Sequence, residues 1–310
     1  MSTRHLLNPE LLPLLDAIPP FQFTRDNIER FRSAGLGATS LGDAFASGVS
    51  REEVTISGPN WDVPCLIYRP LKQSSKAAYL HIHGGGFIGG RKESADPMNT
   101  QIAAQLGVTV LAVGYRLAPE HPVPAPLDDC YAALAWLHNE AERLGIDRQR
   151  IAIGGESAGG GLAAALAIRA RDAGEYAICH QHLTYPMLDN LTGTEAAPGD
   201  PLVGEFVWTR QSNAFGWSCY LGDHPPQAPF VPSRVASVAG LPPTWMFTVS
   251  LDLFRDENIE YARRLLAAGV QTELVVMPGA CHAFQALPGT SLGKRYIADH
   301  LQALGKALAG

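Results

Sequence analysis

From residue 77 onward, short runs of consecutive apolar residues alternate with longer stretches of helical period. The short runs are AAYLHIH (77–83), VTVLAVGY (108–115), RIAIGGE (150–156), HQHLTYPM (180–187), TWMFTVS (244–250) and TELVVMPG (272–279). The stretches MNTQIAAQLG (98–107), APLDDCYAALAWLHNEAERLG (125–145), AGGGLAAALAIRARDAG (158–174) and RDENIEYARRLLAAG (255–269) read as helices that stop at glycine. Apolar strands without polar alternation have both faces covered, which predicts an α/β fold with a mostly parallel central sheet flanked by helices. Right-handed crossovers then place the loops that follow the strands along one edge, where sites are built.

Two segments depart from this rhythm. Residues 1–50 hold short amphipathic pieces and then a Gly/Ser/Ala-rich link, SAGLGATSLGDAFASG (33–48). Residues 189–225 contain a loop and one helix but no strand, and read as an insertion that forms a lid. The expected organisation is N-terminal cap helices over 1–50, a catalytic core over 51–188 and 226–310, and a cap insertion over 189–225. Within the core, REEVTISGPNWDVPCLIYRP (51–70) has two β-rich runs around Gly-Pro-Asn, a hairpin signal.

Composition narrows the class of partner. The chain has 310 residues, 46% hydrophobic and 17% charged, with net charge −6. That balance argues against nucleic acid or an anionic membrane surface. No run approaches the ~20 apolar residues of a membrane span, and the N-terminus lacks a signal-peptide pattern. Five cysteines without a CxxC pair read as free thiols, and the expected location is cytoplasmic.

The strongest chemical signal is GGESAGG (154–160), a G-x-S-x-G pattern between an apolar strand and a helix. In that setting Ser157 sits on a sharp turn with its hydroxyl exposed; the plainer alternative is a helix N-cap. A nucleophilic serine needs a base, and the base needs an orienting acid. Of ten histidines, His282 follows the last strand and so shares the loop edge with Ser157. His5, His138, His180, His182 and His300 read as solvated positions, and His121 and His224 as structural ones in Pro-rich loops. Asp252 ends the strand TWMFTVS and is the leading acid, with Asp256 the alternative. The glycines of HGGGF (83–87) directly follow a strand. Without a Cβ, their N–H groups can approach a reacting carbonyl oxygen. A metal site at His81 and His83 lacks acidic or thiol partners nearby, and a phosphate loop would need Lys-Ser/Thr after the glycines.

With these residues in view, the chain resembles the hormone-sensitive-lipase-like group of α/β-hydrolases, the bacterial carboxylesterases with an HGGG motif. The resemblance rests on HGGGF (83–87), YRLAPEHPVPAPLDD (115–129), GESAGG (155–160), LPPTWMFTVSLDLFRDE (241–257) and PGACHAF (278–284), in that order. It implies an α/β-hydrolase fold with a helical cap and hydrolysis of short- to medium-chain carboxylic esters. It implies Ser157 as nucleophile, His282 as base and Asp252 as acid. The N–H groups of Gly85, Gly86 and Ala158 would form the oxyanion hole, and His83 would brace the glycine loop. No cofactor and no metal are implied. The expected partner is a small-molecule ester, and relatives often form homodimers through the last strand and helix. Cap residues Phe21, Phe23, Phe206 and Trp208 are candidates for setting acyl-chain length.

Three positions depart from the family pattern. Ala283 and Leu253 stand where Gly and Pro are common, and Glu156 stands where Asp is common before the nucleophile. None removes a reacting group. Cys281 beside His282 reads as a small packed residue. An amidase or formamidase with the same triad, and a binding protein on the same fold, remain alternatives at this level.

Overall fold

The computed structural model describes residues 2–17, 22–33, 48–58, 61–286 and 289–309. Phe21 and residues 34–47 of the Gly/Ser/Ala-rich link lie outside them. Eight strands form one sheet: β1 (Val49–Ser57), β2 (Asp62–Pro70), β3 (Ala78–Ile82), β4 (Thr109–Val113), β5 (Ile151–Glu156), β6 (His180–Thr184), β7 (Thr244–Val249) and β8 (Thr272–Met277). Their order is β1-β2-β4-β3-β5-β6-β7-β8. β1 and β2 pair antiparallel as a hairpin, with Ser57 opposite Asp62, and β2 runs antiparallel to β4. From β4 through β8 every pairing is parallel.

Side chains alternate between the two faces as a period of two requires. Ala78, Leu80 and Ile82 of β3 pack with α4 (Ala125–Asn139), α6 (Ala158–Ala173) and α8 (Arg255–Ala267). Tyr79 packs on the other face with α3 (Asp96–Leu106) and α9 (Ser291–Leu308). The chain passes from β3 out to β4 and then returns to β5 on the far side of β3. This reversal opens a crevice at the adjacent carboxyl ends of β3 and β5, the usual place for a ligand in such sheets. Helix α9 begins at Thr290, whose hydroxyl accepts the Gly293 N–H at 3.0 Å.

The N-terminal segment lies across the crevice edge. Helices α1 (Leu12–Ala17) and α2 (Ile28–Ser33) are short. Arg32 of α2 donates to the carbonyls of Ile88 and Ala118 at 2.8 and 2.9 Å and pairs with Glu120 at 2.8 Å. Asn8 N–H reaches Gly279 O at 2.8 Å, and Thr3 reaches Glu205 with both its N–H and its hydroxyl. After α5 (Ala141–Leu144) and α6, residues 189–225 hold one α-helix, α7 (Arg210–Leu221), and among the described residues no strand. No described helix is long and apolar enough to cross a membrane.

The histidines require a correction. His5 is exposed, but His138, His180, His182 and His300 are buried rather than solvated. In a sheet covered on both faces, polar strand residues such as His180 and His182 enter the interior, and so do residues on the sheet-facing sides of the covering helices, as His138 of α4 and His300 of α9 do. His180 Nε2 lies 3.3 Å from His182 Nδ1, and His182 Nε2 lies 3.2 Å from His300 Nδ1. Trp245 stacks on His182 with ring centroids 4.2 Å apart. Burial lowers the pKa of His180 and of His300 to about 4 and that of His182 well below its ordinary value. These rings are neutral in the fold but take up protons in the unfolded chain from about pH 6.5. Stability is therefore full above about pH 6.5 and falls as pH drops toward 4, by about 3 kcal/mol for one such group. We expect the melting temperature to decline over that window, with a shallower slope in His300→Gln. Thermal melts from pH 7.5 to 4.5 check this, and a flat series rejects it.

Candidate active site

Ser157 is the turn residue between β5 and α6. Its backbone has φ 57° and ψ −121°, a conformation that few non-glycine residues adopt. Hydrogen bonds on both sides hold it there. Its N–H donates to Thr184 O at 3.0 Å, and its carbonyl accepts from Gly161 and Met187 at 2.9 and 3.0 Å. It occupies the N-cap position of α6, yet its side chain caps nothing. The hydroxyl instead lies 3.0 Å from Nε2 of His282.

His282 stands on the loop after β8, and its Nδ1 is 2.7 Å from Asp252 Oδ2. Asp252 follows β7, and its other oxygen accepts the Phe254 N–H at 3.0 Å. All three side chains are buried. Asp256, the alternative acid, is exposed and pairs with Arg255 at 2.7 Å. Glu257 turns inward, where it accepts Leu188 N–H at 2.7 Å and the Thr192 hydroxyl, anchoring the start of the insertion. The imidazole of His282 is enclosed by rings: Tyr185 at 4.6 Å, Phe254 at 5.4 Å and Trp208 at 6.3 Å. Phe254 follows Asp252 within the LPPTWMFTVSLDLFRDE stretch, whereas Tyr185 lies outside the quoted motifs and only the fold brings it to the site. Burial pushes the Cys281 thiol up to about 12, so it stays protonated and acts as a packed apolar group. Ala283 has φ +58°, the left-handed region where the family's glycine would fit without strain.

The glycine loop lies against this turn. A Cβ on Gly155 or on Gly159 would come within 2.0 Å of Ile82 O, and one on Gly84 would be 2.9 Å from Glu156 O. Only bare backbone allows β3, its loop and the serine turn to approach this closely. Among the described residues, the N–H groups of Gly85, Gly86 and Ala158 meet no protein carbonyl. Burial lowers the pKa of His83 to about 4, so the ring is neutral, and its Nδ1–H donates to Gly84 O at 2.8 Å. The ring also stacks on Tyr115 at 4.2 Å, while Tyr115 OH donates to His83 O at 3.0 Å. His81 and His83 thus have partners inside the loop architecture, and among the described residues no group of three His, Cys, Asp or Glu gathers as metal ligands would.

Trp208 of the insertion forms the roof. Its ring occupies the space that a Cβ on Gly86 would need, with Cη2 at 2.1 Å from that position. Its Nε1–H donates to Asn213 Oδ1 at 3.2 Å, and Phe23 from the N-terminal segment lies 5.6 Å away. Phe206 is partly buried and packs in a different cluster, the one that holds Tyr185.

Comparison with known proteins places this geometry in context. Residues 79–286 match a family described as having the alpha/beta hydrolase fold. The chain is 34% identical over 299 residues to Esterase LipI of Mycobacterium tuberculosis, covering 91% of this chain and 89% of that protein. It is 32% identical over 289 residues to Carboxylesterase NlhH of the same species, covering 90% and 88%. Among solved structures, a bacterial heroin esterase superposes with TM-score 0.90 at 38% identity over 99% of both chains. An esterase from Pyrobaculum calidifontis superposes with TM-score 0.86 at 30% identity over the full length of both.

The packing at Gly86 makes a structural prediction. Gly86→Ala adds a Cβ at φ +62° where Trp208 already sits. We expect a loss of about 1–3 kcal/mol from backbone strain and overpacking. A lowered melting temperature and a shift in tryptophan emission check this; unchanged values of both reject it.

Proposed function

Because the chain belongs to the hormone-sensitive-lipase-like group of the α/β-hydrolase family, we propose that Ser157, His282 and Asp252 carry out its carboxylic-ester hydrolysis. The observation that carries this reading is the unbroken line from Ser157 Oγ to His282 Nε2 (3.0 Å) and from His282 Nδ1 to Asp252 Oδ2 (2.7 Å). Asp252 fixes the tautomer in which Nδ1 bears hydrogen, leaving Nε2 free to accept the serine proton. Ser157 attacks the ester carbonyl, and His282 becomes an imidazolium stabilised by Asp252. The carbonyl oxygen turns into an oxyanion facing the N–H groups of Gly85, Gly86 and Ala158, donors worth about 3–4 kcal/mol each in such sites. His282 then protonates the departing alcohol. Water enters and attacks the acyl carbon as its proton passes to His282; the acid then leaves as His282 returns that proton to Ser157 Oγ. No cofactor takes part in this sequence.

Residues 189–225 and the N-terminal segment within 1–50 act as the cap, and the core spans 51–188 and 226–310. Trp208 limits the space above the reacting carbon, so short- to medium-chain esters are the substrates. A homodimer through β8 is supported by its place at the sheet edge and by the exposure of Val276 (41%). A cytoplasmic location is supported by five cysteines that stand as free thiols.

Two outcomes are expected. Ser157→Ala folds with parent-like stability and hydrolyses a short-chain p-nitrophenyl ester at under about 1% of the parent rate. Retention of more than a few per cent of the rate overturns the nucleophile assignment. Trp208→Ala removes the roof and raises the rate on long or bulky esters relative to p-nitrophenyl acetate by roughly 10-fold. A panel of acyl lengths and alcohol sizes measures this, and an unchanged preference rejects the role of Trp208.

A further inference from the structure

Two polar side chains beneath the site take no part in the steps above. Glu156 is the last residue of β5 and immediately precedes Ser157; His81 lies on β3, two residues before His83. His81 Nε2 is 3.0 Å from Glu156 Oε2 and 3.2 Å from Oε1. Asn99 of α3 donates from Nδ2 to His81 Nδ1 at 3.2 Å. With Nδ1 accepting that bond, Nε2 bears the hydrogen and donates to the carboxylate. His81 and Asn99 are almost wholly inaccessible to solvent. Burial opposes the charge on Glu156, but the electrostatic attraction and hydrogen bond of the neighbouring His81 ring outweigh it and hold this carboxyl below the ordinary range.

The position of this row matters more than its energy. β3 and β5 are adjacent parallel strands, with Ile82 opposite Gly155. The glycine loop starts just past His81, and the serine turn starts just past Glu156. Between them there is only backbone, because Gly84, Gly155 and Gly159 leave no side chain to act as a spacer. The Glu156–His81 bond is thus a side-chain tie between the two strand ends that carry the two halves of the site. A displacement of about 1 Å between such halves is enough to cost about 100-fold in rate.

We propose that the Glu156–His81–Asn99 row is a positioning device for the reaction. It holds the N–H groups of the glycine loop at the distance from Ser157 that the tetrahedral oxyanion requires. Neither Glu156 nor His81 touches substrate. The longer reach of glutamate, where aspartate is common, carries the carboxylate to the His81 ring. This inference rests on the serine-esterase reading of the site. The oxyanion exists only in the transition state, so loosening the tie lowers kcat and weakens transition-state analogues while leaving KM in place.

The test compares Glu156→Ala and His81→Leu, which cut the tie, with Glu156→Gln and His81→Gln, which keep a hydrogen bond across it. Cutting is expected to lower kcat on a short-chain p-nitrophenyl ester by about 10- to 100-fold, with KM within about 3-fold. The inhibition constant of an alkyl boronic acid rises in proportion. The glutamine variants stay within about 3-fold of the parent on every measure. All four are still labelled at Ser157 by a fluorophosphonate, and absence of labelling in the parent would be a failure of the serine-esterase reading itself. Parent-like kcat and boronate inhibition in either cut variant overturn the proposal. So does a lowered melting temperature with boronate inhibition unchanged, because that result describes a tie serving stability alone. If one cut variant does not fold, the other decides.

Discussion

Everything at this site depends on how closely the backbone of β3 and its loop approaches the turn at Ser157. The spaces where Cβ atoms of Gly155 and Gly159 would sit are both within 2.0 Å of the Ile82 carbonyl. A single methyl group there would push the N–H groups of Gly85 and Gly86, the proposed oxyanion donors, away from Ser157. The backbone of Ser157 itself is strained. Its unusual φ and ψ persist because Thr184, Gly161 and Met187 bond its N–H and carbonyl from three directions. Strain at Ser157 is therefore held by the sheet and helix around it.

A second constraint is polar burial. The face of the sheet under α3 and α9 contains His81, His182, His300, Thr184 and Tyr296, all buried and joined in short hydrogen-bonded rows. Buried polar groups are tolerable when their bonds are made, and such rows then specify one arrangement of the interior. The opposite face is packed mainly by Ala, Leu and Ile of α6 and α4. The two faces thus differ in kind. One supplies apolar burial, and the other supplies directional bonds beneath the serine turn.

The proposed cap is held by a few contacts. Trp208 is held by Asn213 and Phe23 and rests on Gly86, while Arg32 and Thr3 tie the N-terminal segment to the loop carbonyls and to Glu205. Because Trp208 packs directly on Gly86, the proposed mechanism couples the shape of the substrate space to the geometry of the glycine-loop N–H groups. Deformation of one is felt by the other because both are packed in contact.

The sequence by itself determined the layered α/β architecture, the hairpin, the turn serine and the glycine loop, because these depend on local period and on glycine's lack of a Cβ. Order along the chain, with each strand followed by its loop, was enough to put Ser157, Asp252 and His282 on one edge and to favour Asp252 over Asp256. Only the tertiary structure decided which histidines are buried, since His180, His182 and His300 look like solvated positions until two covered faces enclose them. It also decided the roles of Tyr185, Phe254, Glu156 and His81. Glu156 and Phe254 lie inside quoted motifs, but no motif shows what they touch, and all four find their partners through strand register and crossovers between residues up to a hundred positions apart. Period and turn chemistry are local and legible, whereas the neighbours of a buried polar group are set by the packing of distant elements.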